Sequence, residues 1–135
     1  MAPEKNTLAV LVVESSLQAA QALAQQLAQR FGPRLNAATT ASRSEALRIV
    51  QQQPIDLVIA NVKCGDGDGL TLCQELRNLP EMAEVPILLL AENASTQDKI
   101  AGFTSGADDY VVRPIDERLL AARIELLVRI KHLSA

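Results

Sequence analysis

Five apolar runs punctuate the chain. LAVLVV (8–13), IDLVIA (55–60), VPILLL (85–90) and YVV (110–112) are nearly continuous in hydrophobicity, and LNAAT (35–39) is weaker. Short runs without polar alternation predict strands covered on both faces, as in a parallel sheet between helices. The weaker run is expected nearer an edge. Helical spacing fills the intervals. Residues 16–31 place Ala20, Leu23, Ala24, Leu27 and Phe31 on one face, with Ser15 or Ser16 as N-cap and Gly32-Pro33 as the stop. In 43–52 the stripe is Ala46, Leu47 and Val50; in 69–79 it is Leu72, Cys73, Leu76 and Leu79, before Pro80. Segment 116–132 carries Leu119, Leu120, Ile124, Leu127 and Val128, whereas 96–105 offers only Ile100, Phe103 and Thr104 and is the least anchored helix.

Strand and helix thus alternate five times, which predicts a doubly wound α/β fold with helices on both faces of a parallel sheet. Chemistry in such folds gathers at the carboxyl ends of the strands. Those ends are Glu14-Ser15-Ser16, Asn61, Ala91-Glu92 and Arg113-Pro114.

Composition narrows the function. The chain has 135 residues, enough for one domain with a substantial core, and only Phe31, Phe103 and Tyr110 are aromatic, so that core is Leu, Val, Ile and Ala. A net charge of −3 without a basic block argues against nucleic-acid binding by this domain. No apolar run is long enough to span a membrane, and MAPEKNTLAV lacks the pattern of a signal peptide. Cys64 and Cys73 form no metal or redox motif and are expected reduced, in a cytoplasmic protein, with Cys73 facing the core.

The candidate chemistry lies in DLVIANVKCGDGDG (56–69), where a buried strand ends in an amide, Asn61, before a loop of glycines and aspartates. Gly65, Gly67 and Gly69 match neither a Walker motif nor a dinucleotide motif and are expected to form a flexible turn. His132 is the only histidine, which excludes a multi-histidine metal site in one chain. No histidine lies near Ser15 and Ser16 in the sequence to activate them. Glu14 is open to two readings, a helix-end charge or a partner inside a pocket.

DLVIANVKCGDGDGL, VPILLLAE and GADDYVVRPI, in this order and spacing, resemble the receiver domain of bacterial two-component response regulators. The resemblance runs from about Leu8 to Leu133, within a single domain 1–135 that suits a stand-alone protein or a module of a larger one. It implies a flavodoxin-like sheet of strand order 2-1-3-4-5. In the family, an acidic pair after strand one and an aspartate ending strand three bind Mg²⁺. That aspartate accepts a phosphoryl group from a histidine kinase, and a hydroxyl after strand four and a lysine after strand five hold its oxygens. Carried over by position, these places fall on Glu14 and Ser15, Asn61, Ala91 and Arg113. None keeps the family's usual residue. Tyr110 stands at the family's switch aromatic.

The resemblance therefore implies a degenerate receiver, or pseudo-receiver: not an enzyme, with no cofactor and with Glu14 the only residual candidate metal ligand. An amide is a poor nucleophile, so an acyl phosphate on Asn61 is not expected. Its partners would be proteins, a signalling or output domain or a second copy, bound through the last two helices and strand five. Two rivals remain: a receiver active through atypical phosphorylation, and a small-ligand domain reusing the pocket. Charge counting adds one expectation. Glu14 and Arg113 cancel, so the pocket is neutral without a metal, and Arg113 is expected to turn toward Glu14 or Asn61.

Overall fold

A computed structural model describes residues 7–134 of the chain. Strands β1 (Leu8–Val13), β2 (Leu35–Thr40), β3 (Leu57–Asn61), β4 (Ile87–Ala91) and β5 (Asp109–Val112) alternate with helices α1 (Leu17–Phe31), α2 (Arg43–Gln52), α3 (Gly69–Arg77), α4 (Thr96–Thr104) and α5 (Glu117–Ser134). All five strands are parallel, in the order β2-β1-β3-β4-β5. This is the α/β architecture that the hydrophobic pattern predicts, with the strand order that the family resemblance implies.

Burial follows hydrophobicity strand by strand. β3 and β4 are buried at every residue, and β2, the weak run, is a half-buried edge. Successive residues feed opposite faces. Leu11, Val13, Val58, Ala60, Ile87 and Leu89 pack with α2 and α3. Val10, Val12, Leu57, Ile59, Leu88 and Leu90 pack with α1 and α5. All five helices are capped by the side chain just before them: Ser16 accepts from the Ala19 amide, Ser42 from Glu45, Asp68 from Thr71, Ser95 from Asp98 and Asp116 from Arg118 and Leu119. Each such cap stabilises its helix by about 1 kcal/mol.

Several expectations need correction. β3 starts at Leu57, two residues late, because Asp56 instead ties the strand entry to β1, accepting from the Ala9 amide at 2.8 Å. α3 ends at Arg77, and Pro80 opens a 3₁₀ turn, Pro80–Met82. Leu119 is not part of the α5 stripe; it is 49 % exposed, and the buried face is Leu120, Ala121, Ile124 and Leu127. Ile100 and Phe103 of α4 are 59 % and 49 % exposed. α4 turns in Gly102 instead, because a Cβ there would stand 2.9 Å from the Tyr110 ring. Helix and aromatic can approach only with a bare glycine between them. The side chain of His132 lies outside the described residues.

Candidate functional site

At the carboxyl ends of β1, β3 and β5, three polar side chains meet. Glu14 directly follows β1, where its amide donates to the Thr40 carbonyl at 3.0 Å. Its carboxylate points into the molecule and is 2 % exposed. Asn61, the last residue of β3, is 6 % exposed and donates through Nδ2 to Glu14 Oε1 at 2.7 Å. Arg113 follows β5, with its amide donating to the Ala91 carbonyl at 2.9 Å. From there its guanidinium reaches Glu14 Oε2 through Nη2. The Ser15 amide also donates to Glu14 Oε1, at 3.2 Å. Glu14 is therefore a pocket partner rather than a helix-end charge.

The amide of Asn61 is used at both ends. While Nδ2 serves Glu14, Oδ1 accepts from the Lys63 amide at 2.8 Å. A carboxylate in its place would set like charges side by side, whereas the amide supplies the donor that Glu14 needs. Buried charge requires such pairing, because desolvation is costly unless hydrogen bonds compensate it. Arg113 Nε is buried without a hydrogen-bond partner, with Glu92 Oε1 at 3.5 Å.

Ala91, at the end of β4, is buried beside this cluster and contributes no polar atom. Together with Asn61, Lys63, Asn93 and Tyr110 it lines a cavity of about 90 Å³. Tyr110 closes it from β5: the ring is buried, and its hydroxyl donates to the Asn93 carbonyl at 2.9 Å. Burial raises the Tyr110 pKa, with Asp98 adding to the effect, so the phenol keeps its proton for that bond. Ser15 is exposed, and only its backbone takes part.

These residues do not fit Mg²⁺. A hard dication wants several oxygen ligands, usually carboxylates. Here one buried carboxylate, Glu14, is present, and N–H donors already occupy both its oxygens; Glu92, 63 % exposed, lies on the Nε side of Arg113. Among the described residues, no three His, Cys, Asp or Glu side chains are grouped to hold a metal. Asn61 offers no nucleophilic oxygen, and both polar ends of its side chain are already engaged.

Sequence reasoning missed two features around the site. The 62–68 loop is a hairpin, with Lys63–Cys64 paired antiparallel to Gly67–Asp68, rather than a loose turn. Gly69, which starts α3, lies so close to β3 that a Cβ would stand 2.4 Å from the Asn61 carbonyl oxygen. The glycine run was visible, but which glycine faces a backbone is a tertiary fact.

Comparison with known proteins bears on the family and the fold. The response regulator receiver domain family matches residues 10–125. The DNA-binding dual master transcriptional regulator RpaA of Synechocystis is 44 % identical over 80 residues, covering 59 % of this chain and 33 % of that protein. The transcriptional regulatory protein BaeR of Escherichia coli is 31 % identical over 127 residues, covering 93 % of this chain and 50 % of its own length. The chain thus spans half or less of these relatives. A putative response regulator from Chloroflexus aurantiacus superposes with a TM-score of 0.83 at 29 % identity, over 91 % of this chain and 98 % of that one. The receiver domain of a signal transduction histidine kinase from Syntrophus aciditrophicus gives 0.80 at 27 % identity, over 91 % of each chain. With the family match over residues 10–125 and strand order agreeing, the chain belongs to the response regulator receiver domain family of two-component signalling.

Proposed function

We propose that this receiver domain works without phosphorylation, as a regulatory interaction module held in one state by its own side chains. The observation that carries the reading is the Arg113–Glu14–Asn61 cluster. By the family's pattern, the acceptor position is Asn61, the hydroxyl position Ala91 and the lysine position Arg113. At these places an amide and a guanidinium engage the buried carboxylate of Glu14 and a methyl stands where the hydroxyl would be, so the charge of Glu14 is met without a metal, and Arg113 Nε alone stays unpaired. The domain is not itself an enzyme and acts in the cytoplasm; no described helix is long and apolar enough to cross a membrane.

Its partners are proteins, a signalling or output domain or a second copy. They engage the edge of the sheet formed by β5 and its flanking helices. Ile100 and Phe103 of α4 and Leu119 of α5 are exposed apolar side chains on those elements, available to be covered by a partner. A Mg²⁺ titration tests the self-filled pocket. The chain has one tyrosine and no tryptophan, so its intrinsic fluorescence reports Tyr110 alone. Millimolar Mg²⁺, against a KCl control of equal ionic strength, should leave that signal unchanged. A saturable change would show a working metal site and remove the reading.

A further inference from the structure

The hairpin after Asn61 is fastened at a second point, away from the ion pair. Asp66 lies exposed at its tip, yet its carboxylate accepts from four donors at the start of α2. These are the Arg43 amide, the Ser44 amide at 3.3 Å, and the Ser42 and Ser44 hydroxyls, each at 3.1 Å. The first N–H groups of any helix lack partners within the helix, and negative charge is favoured there. Ser42 satisfies the Glu45 amide locally. Arg43 and Ser44 are satisfied by a carboxylate more than twenty residues away. The Gly65 amide donates to the Ala41 carbonyl at 2.8 Å, and Arg43 continues to Glu75 of α3 at 2.6 Å.

This attachment matters because the hairpin buries little of its own. Lys63, Gly65, Asp66, Gly67 and Asp68 are exposed, and Cys64 is half-buried against the core. The same segment supplies one wall of the cavity beside Asn61, and the Lys63 amide holds the Asn61 side chain.

We propose that Asp66 is an intramolecular latch that fastens residues 62–68 to α2 and so sets the closed width of the Asn61 cavity. The latch stands on the Asp66 geometry; that it replaces a bound group as the organiser of this loop rests on the function proposed above. Opening the latch swings the hairpin away from α2, exposes Cys64 and frees the Lys63 amide from Asn61.

Cys64 makes the latch measurable. Burial raises its pKa, and Asp66 and Asp68 raise it further, so the thiol is protected while the hairpin is closed. Cys73, 1 % exposed inside α3, serves as internal reference. The experiment is iodoacetamide labelling of the full chain, with each cysteine quantified by mass spectrometry. It compares the wild type, Asp66→Asn and Asp68→Asn. Both substitutions remove a like charge near Cys64, but only the first weakens the hydrogen bonds that make the latch. Losing hydrogen bonds to a charged group predicts about tenfold faster Cys64 labelling in Asp66→Asn. Asp68→Asn should show a much smaller rise, and Cys73 should stay slow in both. Equal Cys64 rates in the two variants would overturn the latch. Cys73 accelerating together with Cys64 in Asp66→Asn would overturn it too, because the opening would then be global. Phosphorylation of the wild type would defeat the proposed function and leave this labelling contrast unchanged.

Discussion

Glu14 is the residue on which the site turns, because a carboxylate at 2 % exposure is stable only with its oxygens engaged. Arg113, 30 % exposed, supplies the countercharge, and Asn61 and the Ser15 amide supply the remaining donors. Such a pair adds little net stability over an apolar substitute, but breaking it strands a buried charge. Arg113→Ala should therefore destabilise the domain by about 3 kcal/mol, read from urea unfolding. A joint Glu14→Gln, Arg113→Ala variant should recover part of that loss, since no charge is then stranded. If the double variant is as unstable as the sum of the singles, the two residues are not coupled in this way. The partnership was legible through the family resemblance, which puts Glu14 and Arg113 in one pocket where their charges cancel and leaves Arg113 to turn toward Glu14 or Asn61. The second use of Asn61, as acceptor from the Lys63 amide, was not legible. It depends on the turn taken after β3.

Among the elements, those with continuous apolar runs or clean helical stripes were the easiest to read. α4 was not, because its apolar residues Ile100 and Phe103 face outward and its inward contact is Gly102 against Tyr110. Hydrophobic periodicity carries no signal for a glycine chosen to admit a ring. The α2–hairpin attachment was equally invisible, since it joins residues far apart in sequence through one exposed carboxylate. A comparable unseen hub is Arg77, which donates to the Gly106, Met82 and Val85 carbonyls and to Asp108 at the opposite pole of the sheet. The Asp66 attachment has a measurable acid signature. The Arg43 amide, with help from the Ser44 amide and the Ser42 and Ser44 hydroxyls, lowers its pKa from 3.8 to about 2. Between those values the unfolded chain holds more protons at this residue than the folded one, so its contribution grows as pH rises and is lost as pH falls toward 2. Asp66→Asn should flatten the acid limb of stability against pH between about 4 and 2 relative to the wild type. An unchanged limb would mean that the carboxylate gains nothing at α2.

At the scale of the whole molecule, a parallel sheet with its polar cluster at one pole leaves β5 and β2 as edges. α4 and α5 flank β5, and Ile100, Phe103 and Leu119 expose apolar surface beside it. If the pocket is fixed in one state, association through this region is independent of any phosphodonor. Sedimentation at high protein concentration should give the same self-association with and without acetyl phosphate and Mg²⁺, and Ile100→Lys with Phe103→Lys should weaken it. A strict monomer would leave only a different protein as the partner for this face. The central claim, that side chains have taken the place of phosphoryl chemistry, meets its most direct test in intact-mass spectrometry. The wild type would be incubated with acetyl phosphate and Mg²⁺ beside Asn61→Asp, which regains an acceptor oxygen but still has Ala91 and Arg113 around it. The wild type should show no phosphoryl mass gain and the variant at most a slow gain that leaves Tyr110 fluorescence unmoved. A phosphoryl adduct on the wild-type chain, at any residue, would contradict it.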